Sequence, residues 1–594
     1  MLIFKSRDMR NIIIGLLIGL TGITFTSCEK MFGDFLEKAP GVDVTEDSLF
    51  TSKAQAMLLL ASCYEQSMIS PWPSGQYKAG SDLFVNEIYN NIEIHMGYAD
   101  EGWLTASWFI SHSLANGSMT VGKFHDFFWK TRWTALRMLH TMLDGIDRVP
   151  EADEAYKTQI RAEARFLRAI LYFDMFKLYG GVPIVDRKFS PAEVEEMKIP
   201  RSSVEETVNF ILQDLDFAIT NLPASYPTNM RGRATSLAAR ALKSRTLLYA
   251  ASPLYNTATP VLSMADPVNN KMIIYGNYDV NRWQQAADAA KAVLDNADAG
   301  GIHLIEDKGV DKNYRFVWEQ PDNEEIILAD KQSLEYWKKQ RPWQYYLPDF
   351  MGSNGPQLPH SFVAEFYDKR DGTPMVWGTD GQLAGKYEQL DYRFSQAVGY
   401  NGFYWSAARG VLNMAKLPAP AGTASKNNVT GYWIKKHIPD NVNGQGNQVP
   451  RDFVRFRLAE FYLNYAEALN EAQGPVPAAY QAVNRIRTRS GMPNLPIGLT
   501  KEEFRKRVQK ERAIELFAED HRWWDIRRNL LAWNYLNGER LGLNVFKNEP
   551  ITNPLTFRYT ISVFQRRTWL DKFYHYHFTT EELNKGYLVQ NPGW

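Results

Sequence analysis

The chain has 594 residues, of which 45% are hydrophobic, 23% charged and 13% aromatic. This composition excludes a disordered, collagen-like or coiled-coil protein and indicates a large globular chain. Lysine plus arginine and aspartate plus glutamate both number 67, so the formal charge is zero. Because no broad positive field is available to a phosphate backbone, we expect no nucleic-acid partner.

Residues 1–27 have the pattern of a signal peptide. Three basic residues precede the apolar run 12–20, and small residues then lead to Cys28. The run is shorter than the roughly 20 apolar residues that span a bilayer. Cys28 occupies the position at which a lipoprotein signal peptidase requires a thiol, so we expect Cys28 to be lipidated and residues 28–50 to form a tether. Cys63 is the only other cysteine, which leaves no pair for a disulfide.

Residues 51–300 have the pattern of an N-terminal helical region. Apolar residues at spacings of three and four predict a helix over 156–179 with two apolar stripes, which requires neighbours on two faces. Gly180 and the residues after it end this helix. Ser202 and Ser203 are each followed three residues later by glutamate, which predicts overlapping capping boxes at the next helix. Further helices are predicted at 235–251 and 283–294.

Helical periodicity fades in residues 301–450, which we interpret as a loop-rich variable insertion with occasional strands and a binding surface. It returns in residues 451–594, where a capping box of Thr500 and Glu503 opens one helix and loop with occasional strands follows from about residue 529. Two other helices are predicted there, at 456–472 and 478–489. The paired helices predict a mainly α fold, a tetratricopeptide-like scaffold of helical pairs with a large loop-rich variable portion.

Common catalytic motifs are absent from the sequence. It contains no zinc-protease helix motif, CxxC pair, phosphate-binding glycine loop with lysine, or serine elbow. His575 and His577 alternate as a pair of metal ligands could, but their aromatic neighbours favour packing or solvation. We therefore expect no catalytic residue, metal or cofactor. A carboxylate pair for glycoside hydrolysis stays open, because only the separation in space is diagnostic.

A dense charged cluster lies at 509–528, interleaved with apolar residues. Helical spacing places Glu511 and Glu515 on one face. A catalytic centre is one interpretation, and a buried ion-pair network that joins the last helices is the one we favour.

Several segments of the chain resemble the SusD/RagB family of outer-membrane lipoproteins. The segment 161–169, running into Leu-Tyr-Gly-Gly-Val-Pro at 178–183, carries the resemblance most clearly. Further matches follow in the family's order, at 200–206, 214–216, 232–235, 362–366 with 371–372, 457–460 with 466–469, 509–512 with 522–525, and 590–594. His140 departs from the family, in which an asparagine is common at this position.

The resemblance implies a lipid-anchored protein exposed on the outer membrane, with a SusC-like TonB-dependent transporter as partner. It implies non-catalytic capture of oligo- or polysaccharide and its delivery to that transporter. Two alternatives stay open: capture of peptides by the same lid mechanism, and a helical surface glycoside hydrolase.

Aromatic residues are numerous, with 17 Trp, 30 Tyr and 32 Phe. A sugar site combines flat rings, which contact the C–H face of a pyranose, with polar partners for its hydroxyl groups. Segments 71–103, 336–346 and 400–405 combine the two kinds of residue. From the first two segments we predict eight ligand-binding residues: Trp72, Asp82, Tyr98, Trp103, Trp337, Arg341, Trp343 and Tyr345.

Overall fold

The computed structural model describes residues 46–68, 91–104, 110–122, 126, 128–331, 357–378, 383–407, 409–415, 428–438, 440–441, 452–547 and 557–594. The signal peptide, Cys28 and most of the tether lie outside these ranges. Within them, no helix has both the length and the apolar character that crossing a bilayer requires.

The described residues are mainly helical. Their α-helices are α1 (Lys53–Ser67), α2 (Asn91–Tyr98), α3 (Ile110–Ala115), α4 (Trp129–Gly145), α5 (Glu154–Tyr179), α6 (Val204–Asn221), α7 (Ser236–Ala251), α8 (Asn281–Asn296), α9 (Asn313–Glu319), α10 (His360–Phe366), α11 (Ala384–Tyr387), α12 (Tyr392–Ala397), α13 (Leu458–Gln473), α14 (Pro477–Arg489), α15 (Lys501–Glu515), α16 (Arg522–Arg528), α17 (Ala532–Tyr535) and α18 (Thr580–Leu583). Their strands are β1 (Ile326–Lys331), β2 (Val398–Tyr400), β3 (Tyr404–Ser406), β4 (Gly410–Val411), β5 (Tyr432–Ile434), β6 (Asp452–Arg457), β7 (Gly538–Lys547) and β8 (Phe557–Arg567).

The long helices form a sequential stack, which confirms the tetratricopeptide-like scaffold. Helix α1 packs on α4 and α5, and then α5, α6, α7 and α8 each pack on the next. Helix α8 packs on α13, which also contacts α14 and α15. The stack therefore continues across the long insertion between α8 and α13, because the apolar faces of the two helices complete one core.

Helix α5 lies at the centre of this first core. Asp153 caps its first turn by accepting a hydrogen bond from the backbone N–H of Tyr156. Both predicted apolar stripes are buried, so the helix is covered on two sides as its periodicity predicts. It ends at Gly180, whose φ of 83° suits glycine and whose missing side chain makes room for the carbonyl of Met272.

Capping boxes open two helices of the stack. Thr500 and Glu503 form the predicted box at α15. Ser203 and Glu206 form the box at α6. The overlapping box predicted at Ser202 does not form, because the helix has a single N-cap position and Ser203 occupies it.

A second core lies outside the helical stack. It combines the short helices α10 to α12 with strands β2 and β5 and the middle of β7 and β8. The prediction of loop with occasional strands in 301–450 holds only in part, since four short helices lie there as well.

The prediction of loop with occasional strands from residue 529 holds in part, because a long hairpin and the short helices α17 and α18 lie there. Strands β7 and β8, of 10 and 11 residues, pair in antiparallel register from Gly538 opposite Arg567 to Lys547 opposite Phe557. A register shift between Arg540 and Leu541 leaves Phe564 without a partner in β7, as in a β-bulge.

Candidate functional site

Most of the predicted ligand-binding residues lie outside the described part of the chain. These are Trp72, Asp82, Trp337, Arg341, Trp343 and Tyr345. Tyr98 and Trp103 are described, and the structure places them in different environments.

The structure places Tyr98, which the sequence predicts as a ligand-binding residue, in the first core. Its side chain is only 1% exposed at the end of α2. The ring packs on Trp523, with 5.1 Å between the ring centroids. Because Tyr98 is covered by the first core, it offers no face to a ligand.

Trp103 lies on a small sheet made by segments that are distant in sequence. Its backbone N–H donates to the carbonyl of Gln357 over 2.8 Å, and the N–H of Gln357 donates back over 2.9 Å. Gln357 also bridges to Trp433 in β5, and Trp433 pairs with Gly399 in β2. Four chain segments therefore lie side by side in the order 103, 357, 433 and 399.

The ring of Trp103 is half-buried between two aromatic neighbours. His112 and Phe564 meet it nearly at right angles, with centroid distances of 4.6 and 5.2 Å. The indole Nε1 of Trp103 is buried and has no hydrogen-bond partner within the described ranges. We call Trp103, His112 and Phe564 the Trp103 surface.

The third aromatic segment, 400–405, starts at the last residue of β2 in this small sheet and continues into β3, which pairs with β4 in a separate two-stranded sheet. Trp405 is buried against Gly399, where any side chain on the glycine would collide with the indole ring. Tyr404 is 60% exposed and pairs with Val411, which is 61% exposed. The backbone ladder of Trp103 therefore reaches the 400–405 segment only at Tyr400, in β2.

Arg567 fixes the chain immediately before Trp103. Its guanidinium donates to the carbonyls of Tyr98, Ala99 and Gly102 over 2.7 to 3.1 Å. The three carbonyls at the end of α2 need donors, which one planar guanidinium supplies. The turn that leads to Trp103 is therefore attached to the last residue of β8.

Two carboxylates of the same turn contact the helical core. Asp100 accepts two hydrogen bonds from Arg522, each of 2.8 Å. Glu101 is 1% exposed and accepts from the backbone N–H of Ala518 over 3.1 Å. Burial raises the pKa of Glu101 to about 8, so this carboxyl is mostly protonated at neutral pH.

The charged cluster at 509–528 is a buried ion-pair network, as favoured from the sequence. Glu515 accepts from Arg393, Arg457 and Arg489, and Glu511 accepts from Arg393 over 2.6 Å. Burial opposes ionisation, but the three arginines hold the pKa of Glu515 well below its usual range. This network joins α12, β6, α14 and α15.

His575 and His577 are buried. The Nε2 atom of His577 lies 3.1 Å from the carbonyl of Val121. Burial lowers the pKa of His575 well below its usual value. Within the described ranges, no group of three or more His, Cys, Asp or Glu side chains is arranged to bind a metal ion.

Sequence reasoning missed two parts of the region around the Trp103 surface. These are the hairpin β7–β8 and Gln357. A usable signal exists for the hairpin: Leu541, Leu543 and Val545 alternate with smaller or polar residues, as in a strand with one buried face. No local signal marks Gln357, because its role depends on strands far away in sequence.

The stack of paired helices places the protein in the class of helical-repeat scaffolds. A second core, rich in aromatic residues, is attached to this scaffold. The chain belongs to the SusD/RagB family. A family profile described as "SusD family" matches residues 307–594, and one described as "Starch-binding associating with outer membrane" matches residues 34–248.

Relatives and solved structures agree with this assignment along most of the chain. SusD-like protein P38 of Formosa agariphila is 23% identical over 93% of this chain and 98% of its own. The crystal structure of a SusD-like protein from Bacteroides fragilis matches with a TM-score of 0.73 at 24% identity, covering 94% of this chain and all of the other. A laminarin-binding SusD-like protein matches with a TM-score of 0.58 at 19% identity, covering 92% of this chain and all of the other.

Proposed function

We propose that this protein binds oligo- or polysaccharide at the cell surface, without cleaving it, and delivers it to a SusC-like TonB-dependent transporter. Membership of the SusD/RagB family supports this function, as does the likeness to a laminarin-binding protein. The profile described as associating with the outer membrane supports the location. In this proposal Cys28 carries the lipid anchor and residues 28–50 connect it to the helical scaffold.

The Trp103 surface is the observation that carries the proposal. A half-buried indole on a rigid backbone ladder offers an apolar plane whose orientation is fixed before a sugar arrives. If a pyranose ring removes about 60 Å² of apolar area at roughly 25 cal/mol/Å², the contact contributes about 1.5 kcal/mol. One such contact is weak, so affinity depends on several contacts along the glycan, which suits a protein that must release its ligand.

Titration of the protein with a panel of neutral and acidic oligosaccharides tests this surface. Replacing Trp103 by alanine is expected to weaken binding about tenfold, the equivalent of the lost ring contact. Trp533→Ala is the matched control, because Trp533 is also a tryptophan and is 53% exposed but lies on α17, outside the Trp103 surface. Equal affinities of the two variants would remove Trp103 from the site.

The residues predicted outside the described ranges are tested in the same panel. We propose that Trp72, Asp82, Trp337, Arg341, Trp343 and Tyr345 also contact the ligand. Each alanine variant that binds like the wild type removes that residue from the site.

Catalysis and peptide capture are tested with the same purified protein. Oligosaccharides incubated for hours are expected to keep their length, and shortened products would contradict the non-catalytic function. Peptides are expected neither to bind nor to displace a bound oligosaccharide.

The anchor and the partner need a cellular test. Cys28→Ala is expected to release the protein from the membrane fraction, because stable anchoring needs acyl chains. A SusC-like transporter is expected to copurify with the wild-type protein. A transporter that never copurifies under mild detergent would contradict the delivery step.

A further inference from the structure

Arg540, on β7, differs from every other buried arginine in the described residues. Its side chain is 7% exposed, and its Nε and Nη2 atoms are buried with no hydrogen-bond partner in the described part of the chain. The remaining buried arginines all donate to carboxylates or carbonyls; they are Arg132, Arg168, Arg201, Arg393, Arg457, Arg489, Arg512, Arg522, Arg527, Arg528 and Arg567. A buried guanidinium without an acceptor is costly, so its presence requires an explanation.

The surroundings of Arg540 have more positive than negative charge. Arg522 and Arg567 are the neighbouring cations, and Asp100 is the ionised carboxylate that acts on Arg540, because burial keeps the nearby carboxyl of Glu101 mostly protonated at neutral pH. Asp100 already accepts both of its short hydrogen bonds from Arg522. Burial lowers the pKa of Arg540, the Asp100 carboxylate opposes this shift only in part, and the charge of Arg522 lowers the pKa further. The cluster therefore lacks a negative charge.

Arg540 lies next to the Trp103 surface. It pairs across the hairpin with Gln565, which adjoins Phe564, the bulged residue that packs on Trp103. Arg567 links the same region to the turn before Trp103. The bulge therefore brings Arg540, whose Nε and Nη2 lack acceptors among the described residues, and an aromatic platform into one part of the hairpin.

We propose that Arg540 binds an acidic group, a carboxylate or a sulfate, of the glycan whose ring lies on Trp103. A planar guanidinium suits both groups because it can donate two parallel hydrogen bonds. The ligand is then a glycan with uronic acid or sulfate-ester residues. This inference rests on the proposed glycan-binding function and narrows the class of its ligand.

Isothermal titration of the full chain in detergent tests the charge preference. The probes are an oligogalacturonate, which carries only carboxylates, a sulfated galactan oligosaccharide, which carries only sulfates, and a neutral β-glucan oligosaccharide. We expect one acidic probe to bind at least tenfold more tightly than the neutral one, with an affinity that falls as salt is raised. The stronger acidic probe identifies the group.

Arg540→Gln and Arg566→Gln make a matched pair of variants. Arg566 lies in β8 of the same hairpin, but its side chain is 78% exposed and pairs with Glu539. Arg540→Gln is expected to weaken binding of the acidic probe tenfold or more and to leave the neutral probe unchanged. Arg566→Gln is expected to change neither affinity. Arg540→Lys replaces Arg540→Gln if the latter does not fold, and is expected to retain part of the preference because it keeps the charge.

The outcomes separate this inference from the function on which it rests. If the neutral probe binds through Trp103 while the acidic probes bind no better, or if Arg540→Gln affects neutral and acidic probes equally, the acidic-ligand inference is overturned and glycan binding stands. If no glycan binds at all, both fail. If the wild-type protein binds the neutral probe more tightly than both acidic probes, the acidic-ligand inference is overturned and the variants are not needed to decide it.

Discussion

Two buried clusters of arginine in this protein differ in how their charge is balanced. In the first, at the junction of α14 and α15 with the second core, Glu515 and Glu511 together accept from four arginines, and Glu325 accepts from two of these. In the second, beside the Trp103 surface, Arg522 donates to Asp100 and Arg567 donates to backbone carbonyls, whereas the Nε and Nη2 atoms of Arg540 have no acceptor in the described ranges.

A structural arginine cluster can be distinguished from a ligand-binding arginine cluster by whether carboxylates of the protein offset its buried charge. In the first cluster the carboxylates offset the cost of burying arginine, and the network joins elements that are far apart in sequence. In the second cluster the cost of Arg540 is not offset within the described residues. Proteins retain such a cost mainly where function requires it.

The substitution that should lower the free energy of unfolding most lies in the first cluster. Glu515→Gln removes one negative charge among three arginines and is expected to lower the free energy of unfolding by about 3–5 kcal/mol. Urea denaturation measures the loss. Glu502→Gln, at an exposed position of the same helix whose ion pairs face solvent, is expected to change it by less than about 1 kcal/mol. Equal losses of unfolding free energy in the two variants would show that burying the network does not make its ion pairs more important for stability.

The next effect depends on pH and concerns the carboxyl of Glu101. Its pKa is raised from 4.5 to about 8 in the folded protein, so between these values the folded state binds more protons than the unfolded state. Its contribution to stability therefore falls as pH rises through this window, by roughly 1.4 kcal/mol per pH unit at most.

Glu101→Gln removes this titration while its amide oxygen still accepts from Ala518. The stability of the variant relative to the wild type is expected to increase from pH 5 to pH 8, as measured by urea denaturation at each pH. Glu539→Gln, an exposed substitution on β7, is the control and is expected to show no such trend. A constant difference between Glu101→Gln and the wild type would show that Glu101 titrates normally.

A substitution of Arg540 should change the free energy of unfolding least, and in the opposite direction to Glu515→Gln in the first cluster. Arg540→Met keeps an apolar stem of similar length and removes a buried charge whose Nε and Nη2 find no acceptor in the part of the chain that the structure describes. It is expected to raise the free energy of unfolding of the unliganded protein by about 1–2 kcal/mol while weakening binding of acidic glycans. A stability loss of comparable size would indicate that Arg540 is structural.

The helical scaffold could be predicted from the sequence because its signals are local. The stripes of α5 and the capping box of Thr500 and Glu503 depend on residues within a few turns of one another. Even there, only the structure shows which of Ser202 and Ser203 occupies the single N-cap position. The resemblance to the SusD/RagB family followed from motif order along almost the whole chain.

The candidate site was far less predictable, for a physical reason. Tyr98 and Trp103 are close in sequence and similar in chemistry, but the first core covers one and leaves the other half-exposed. The ladder of Trp103 depends on Gln357 and Trp433, whose pairing no local pattern encodes. Nothing in the sequence distinguishes Arg540 from other arginines, and only the lack of an acceptor for its Nε and Nη2 among the described residues makes it notable.

Hydrogen exchange of backbone amides, with and without a saturating oligosaccharide from the titration panel, tests the location of the site most directly. If the glycan binds on the Trp103 surface, amides in 98–104 and in the hairpin strands 538–547 and 557–567 will exchange more slowly in the complex, while those of α5 to α8 stay unchanged. Slower exchange confined to α5–α8, with the hairpin unaffected, would contradict the account.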